Sequence, residues 1–290
     1  MTNRRTFLGQ AGVAAAAILL TPELLSAKNI NKVGLQLYSL RDYLPKDVKG
    51  VTAKVAQAGY KEVETYGYSK QNGYWGIDPR DYAKLLTQNG LVSPSGHYGI
   101  DQYLNDGTMT DLESYIHAAH TIGQRYIIAP GINGDLVKTI DGCKATAEKF
   151  NKVGQLLKKE GLKFAYHNHA WEWQKVGDTT FYDVLLKETD NDLVKLEMDI
   201  FWVVRGGLDP VTMLEKHPGK FALFHVKDSD KGRPELNTEV GKGTIDFKAI
   251  FAKAKDAGVK HFIVEQENFT NIDPYVSIAE SSAYVKSLSV

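Results

Sequence analysis

The sequence predicts a single-domain (β/α)8 barrel of the α/β class, and three observations carry that prediction. Eight apolar, β-branched runs alternate with helical stretches over about 260 residues, which suits one such barrel. Six of the runs begin directly after a glycine that ends the preceding helix. No linker, low-complexity tract or change of composition divides the chain. An open doubly wound sheet would use the same alternation, but its first strand leads into a glycine-rich phosphate loop. Here the first strand leads into LYSLRDY.

Residues 1–27 precede the first unit and read as an export signal. Arg4 and Arg5 form a charged start, Ala11 to Leu20 an apolar centre, and Leu25-Ser26-Ala27 a small-residue cleavage site. The string Asn3-Arg4-Arg5-Thr6-Phe7-Leu8 is similar to the twin-arginine signal of bacteria, a route that carries folded proteins. A periplasmic location is therefore expected, with the catalytic domain spanning 28–290. The apolar centre is too short for a membrane span, and no cysteine lies at the cleavage point for a lipid, so no stable membrane anchor is expected.

The strands are expected near 33–39, 61–66, 91–97, 125–130, 162–169, 193–200, 220–227 and 260–267. Gly59, Gly90, Gly123, Gly161, Gly219 and Gly258 stand where helices end, because glycine takes the left-handed conformation there without steric cost. Helices are expected over Asp111 to Ile122, Lys144 to Glu160 and 180–189. Asp78-Pro79 and Asp209-Pro210 each set a capping acid before a proline at the first helical position.

Composition excludes several functions. With 35 basic and 35 acidic side chains there is no basic excess to attract nucleic acid or anionic lipid. The single cysteine, Cys143, rules out an internal disulfide framework and a cysteine-based zinc cluster.

Chemistry is expected at the C-terminal ends of the strands, where barrel enzymes place it. Strand 2 ends in Glu62-Val63-Glu64, strand 3 in His97 and strand 5 in His167-Asn168-His169. Strands 6, 7 and 8 end in Glu197-Met198-Asp199, His225-Val226-Lys227 and Glu265-Gln266-Glu267. Residues two apart on a strand share a face, and a purely structural parallel strand would be apolar there. Two imidazoles and two carboxylates arriving from strands 5 to 8 would bind a divalent metal, with Mn²⁺, Co²⁺ or Zn²⁺ suiting the donors better than Mg²⁺. The competing reading is a set of salt bridges, such as Lys227 with Glu267.

These strand ends, with FAYHNHAWEW, LEMDIFW followed by RGGLDP, LFHVKDSD and FIVEQENF, resemble the xylose isomerase-like TIM barrels over nearly the whole mature chain. That sugar phosphate isomerase/epimerase superfamily also holds endonuclease IV, inosose dehydratase and ketose 3-epimerases. By position the resemblance implies His167, Asp199, His225 and Glu265 as metal ligands. His167 stands where many relatives have Glu, and Trp202 where ketose epimerases often have a substrate-binding His. The implied chemistry has Glu265 as general base and His169 or Lys227 as partner acid. Gln36, Tyr38, Glu64, His97, Trp202, Arg205 and Glu267 are the candidate substrate contacts, and Glu172 a candidate partner orienting a histidine.

The resemblance implies a small-molecule carbohydrate substrate and leaves a homo-oligomer open. Isomerisation or epimerisation of a sugar or keto-sugar through an enediolate leads. A lyase or dehydratase acting on a keto-glycoside or keto-polyol is the alternative, and a non-catalytic sugar-binding protein or a DNA-repair nuclease comes further behind. The neutral charge and export signal weigh against the nuclease.

Overall fold

The computed structural model describes residues 30–290, so the expected signal at 1–27 lies outside the described residues. Eight parallel strands close into a barrel. They are β1 (Gly34–Gln36), β2 (Glu62–Thr65), β3 (Val92–His97), β4 (Tyr126–Ala129), β5 (Lys163–His167), β6 (Val194–Asp199), β7 (Phe221–Val226) and β8 (His261–Val264). Each pairs with its sequence neighbours, and β8 closes on β1 through Gly34↔Ile263 and Leu35↔Val264.

The predicted punctuation holds. Gly123 and Gly258 end their helices at φ 81 and φ 90, which side chains with a Cβ rarely adopt. Asp78 caps Pro79–Gln88 and Asp209 caps Pro210–Lys216 by accepting backbone N–H bonds. Two apolar layers result. The larger core packs strands against the helical ring, while Tyr126, Ile128, Ala165, Ala222 and Leu223 form a separate small core. Successive residues on a strand face opposite ways, which sets Leu223 on the same face as His225, inside the barrel.

Three strands stop earlier than their apolar runs suggest. Gln36 accepts the Tyr38 N–H at 3.1 Å and so caps a 3-10 helix, Leu37–Leu40, which turns Tyr38 out of β1. After His167 the chain leaves β5 for a loop and the 3-10 helix Trp171–Trp173. After Val264 it leaves β8, so Glu265 and Glu267 lie on the loop above the barrel. Asp199 ends β6 and caps the short helix Ile200–Arg205, accepting from Trp202 N–H at 3.0 Å.

Candidate metal centre

The strand ends gather a buried polar layer across the barrel mouth. Asp199, Glu197, Glu64 and His225 are fully buried, and His167, Lys227 and Glu265 nearly so. His97 is the hub on the β3 side. Its Nε2 lies 2.9 Å from both Glu64 Oε1 and Glu197 Oε2. Gln36 and Ser95 donate to the two Glu64 oxygens at 2.7 and 2.6 Å.

These glutamates orient two other imidazoles. His167 Nδ1 donates to Glu197 at 3.0 Å, and His225 Nε2 donates to Glu64 at 2.7 Å. The second nitrogen of each ring then turns inward. His167 Nε2 lies 3.9 Å and His225 Nδ1 4.0 Å from the same atom, Asp199 Oδ2. That oxygen is buried and has no hydrogen-bond partner. His225 Nδ1 also faces Glu265 Oε2 at 3.2 Å. With carboxylates at both ring nitrogens, Glu197 and Glu64 outweigh burial and raise the His225 pKa well above the imidazole range. A metal at Nδ1 would take the place of the second ring proton.

Two groups of potential ligands converge among the described residues, Asp199 with His225 and Glu265, and His97 with His167, Glu197 and His225. Three of the four implied ligands, Asp199, His225 and Glu265, fall in one group. His167 belongs to the other, with its Nε2 3.9 Å from the orphaned Asp199 oxygen. These nitrogen and oxygen donors suit Zn²⁺, Mn²⁺ or Co²⁺. A carboxylate behind each ligating imidazole is the usual support for such a site. The residues fit a divalent ion.

Protonation follows from the packing. Burial and Glu64 push Glu197 up to about 7, and burial pushes Asp199 up to about 6 against Lys227 and His225. Burial alone would lower His97, but Glu64 and Glu197 raise it to about 9. Glu64 and Glu265 resist the upward push of burial and stay well below the carboxylate range, Glu64 through His97 and His225, Glu265 through Lys227 and His225. His167 is held well below its usual range by burial and by the neighbouring His225.

Above this layer lies a cavity of about 360 Å³, lined among others by Tyr38, His97, His167, His169, Lys227, Glu265 and Glu267. The Lys227 ammonium reaches Glu265 at 2.8 Å, Glu267 at 2.9 Å and Asp199 at 3.6 Å. The salt bridge weighed as the alternative is therefore present beside the candidate ligands. Those carboxylates outweigh burial and raise its pKa above the ordinary lysine range, which holds the ammonium charged against Glu265, Asp199 and Glu267. His169 is lowered to about 4 by burial and then by Lys227.

The remaining expected residues stand as follows. Gln36 and Glu64 are wholly enclosed, their polar atoms engaged with each other, the Tyr38 N–H, Ser95 and the histidines, so they support the site from beneath. Arg205 is exposed, with its guanidinium 6.0 Å from the Phe201 ring, and is not among the cavity's lining residues. Trp202 is half-buried beside His169, ring centroids 5.7 Å apart, and backs the wall. Glu172 fixes the His169 backbone, accepting its N–H at 2.9 Å, while its carboxylate stays 4.0 Å from the ring. In the loop after His167, Trp171 and Trp173 pack on Phe181 and Tyr182, outside the set of expected contacts. Glu197 had no assigned role in the sequence; the signal was its place two residues before Asp199.

Comparison with known proteins shows the family. Residues 52–288 match the family described as xylose isomerase-like TIM barrel. The chain belongs to that family. This xylose isomerase-like barrel is similar to inosose dehydratase of Geobacillus kaustophilus, 24% identical over 89% of this chain and 92% of that protein. Inosose dehydratase of Clostridium perfringens is 30% identical over 185 residues, which cover 58% of this chain, and the match spans only 61% of that relative's length. Among solved structures, a sugar phosphate isomerase/epimerase from Parabacteroides distasonis superposes with a TM-score of 0.78 at 29% identity, covering 90% of this chain and 96% of that one. No helix among the described residues of the xylose isomerase-like barrel is long and apolar enough to cross a membrane.

Proposed function

We propose that the chain is a divalent-metal-dependent lyase. It removes the proton beside the carbonyl of a keto-sugar or keto-polyol and then expels the β-oxygen. The observation that carries this reading is geometric: His169 lines the same cavity as Lys227 and the candidate ligands His167 and Glu265. His167, Asp199, His225 and Glu265 would hold the ion. When bound, a divalent cation polarises a substrate oxygen and makes the neighbouring C–H more acidic.

The chain's own groups supply the rest. His169 takes the proton, the C–H pair becomes the C=C bond as the β C–O bond breaks, and the imidazolium returns the proton to the leaving oxygen. Lys227 holds negative charge that develops on the substrate. One group on one wall suffices for elimination, whereas inversion at carbon needs an acid/base on each face. Histidine in place of glutamate at 167 removes one such carboxylate. The names of the inosose dehydratase relatives support the same choice.

Epimerisation is the second reading, with Glu265 or Glu267 serving opposite His169; the name of the Parabacteroides relative favours it. Incubating the metal-loaded enzyme with an inosose and with ketohexoses in D₂O separates the two. Elimination yields a product lighter by one water, and epimerisation a deuterated product that has kept its water. Absence of both with every substrate contradicts either reading. Export belongs to the same proposal, and cell fractionation tests it: the mature protein is expected in the periplasm.

A further inference from the structure

Glu265 and Glu267 lie on a loop, yet each meets a set partner: Glu265 Oε2 lies 3.2 Å from His225 Nδ1, and Glu267 Oε2 2.9 Å from Lys227 Nζ. The β8 ladder ends at Val264, so neighbouring strands no longer fix the backbone that carries these acids. Outside a ladder, a backbone is held by whatever takes its N–H groups. Glu265 N–H still reaches the Val226 carbonyl of β7 at 3.3 Å. The next three N–H groups turn to side chains. Gln266 donates to Ser39 Oγ at 3.0 Å, while Glu267 and Asn268 both donate to one atom, Asn237 Oδ1, at 2.8 and 3.0 Å. Asn237 returns its own N–H to Asn268 Oδ1 at 3.1 Å.

Asn237 is also tied to the other half of that ion pair. It belongs to a short antiparallel hairpin in which Asp228–Ser229 pairs with Asn237–Thr238, and Asp228 directly follows Lys227. The buried Asp228 carboxylate accepts backbone N–H bonds from Ser229, Gly241, Gly243 and Ile245 at 2.8, 2.9, 3.0 and 3.1 Å. The hairpin is thereby anchored at its base on the residue next to Lys227. Asn237 is the point where this anchored hairpin grips the β8 loop, and it is 6% exposed.

We infer that Asn237 is a positioning residue of the candidate metal centre. It fixes the β8 loop to the β7 hairpin, so that Glu265 meets His225 and Glu267 meets Lys227. Asn237 is not among the residues lining the catalytic cavity, so its effect passes through those two acids. An amide oxygen has two lone pairs, enough for both N–H groups, and a carboxylate oxygen takes them equally well. Alanine at 237 would leave both N–H groups without their acceptor, a cost the loop relieves by moving. This role rests on the metal centre and not on the choice between elimination and epimerisation.

Metal affinity and hydrogen exchange test it together. In competition with a chromogenic chelator, Asn237→Ala is expected to bind Zn²⁺ about tenfold more weakly than wild type, the lower end for groups that support ligands from behind. Asn237→Asp keeps the acceptor and should stay within about twofold of wild type. In chelator-treated protein, amide exchange over 265–269 should be faster in Asn237→Ala than in wild type or Asn237→Asp, with the strand Lys163–His167 unchanged. Asn237→Ser, too short to reach both amides, takes the place of the alanine variant if circular dichroism shows that one unfolded. Unchanged exchange overturns the inference. So does faster exchange with unchanged affinity, which would make Asn237 a loop tie only. Equal losses in the alanine and aspartate variants overturn it as well, because the side-chain oxygen would then not be what matters. A wild type that binds no Zn²⁺ overturns the metal centre itself, and this role with it.

Discussion

His167 Nδ1 lies 3.0 Å from Glu197 Oε2, and this contact decides which way the imidazole faces. With Nδ1 engaged, Nε2 points towards Asp199, the geometry a ligating histidine needs. Replacing Glu197 by Gln keeps the shape but removes the charge that holds the tautomer. Metal affinity is expected to fall about 10- to 100-fold, as for other carboxylates behind ligating histidines. A competition titration against a metallochromic chelator measures it. An unchanged affinity would remove Glu197 from the support of the site.

Lys227 offers a second prediction. It is 1% exposed and touches three carboxylates, so Lys227→Met leaves Asp199 and Glu265 buried without their counter-charge. Removing one partner of a buried pair costs about 3–5 kcal/mol. Denaturant unfolding of the chelator-treated variant should show a loss of that order, with part recovered on adding Zn²⁺ or Mn²⁺. A loss that metal does not reduce would contradict a cation beside those carboxylates.

Much of this site was legible because strand side chains alternate. The pairs Glu197 and Asp199, and His225 and Lys227, stand two apart and reach one layer, as their spacing requires. What sequence could not show is depth. Glu64 and Glu267 look alike as strand-end acids, yet one is sealed beneath His97 and the other faces the cavity. The lowered pKa of His169 and the raised pKa of Lys227 depend on neighbours from different strands, and no local pattern carries them. Strand lengths were overread where a polar side chain captured the backbone, as Gln36 does at Tyr38.

At the other end of the barrel, Lys220 is buried just before β7 and donates to Thr189 Oγ1 at 2.6 Å. Burial, then Lys195, lowers its pKa to about 8 from an ordinary value of 10.5. Between those two values the unfolded chain binds more protons than the folded one, so stability rises with pH across that window. Below pH 8 the full cost of charging a buried amine is present. Lys220→Met should flatten the rise relative to wild type in urea unfolding between pH 7.5 and 10.5; parallel curves for the two proteins would refute it.

Gly154 gives a prediction opposite in sign to helix propensity. Alanine in a helix interior is ordinarily better than glycine by about 1 kcal/mol. A Cβ at 154, however, would lie 2.4 Å from the Leu193 carbonyl oxygen and 2.8 Å from its carbon. Both are backbone atoms that cannot swing aside, so Gly154→Ala should destabilise by about 1–3 kcal/mol, the usual range for an overpacked core. Thermal unfolding decides it, and a raised Tm would show that the helix Ile140–Lys159 is free to shift outward.

The central claim is a divalent ion held around Asp199 Oδ2. Elemental analysis of purified wild type and of Asp199→Ala tests it most directly. The wild type is expected to carry about one divalent ion per chain, bound through the four residues that converge there. Asp199→Ala, folded by circular dichroism, should carry far less than one. A full complement of metal in Asp199→Ala would show that the ion is bound elsewhere and that this ligand set is wrong.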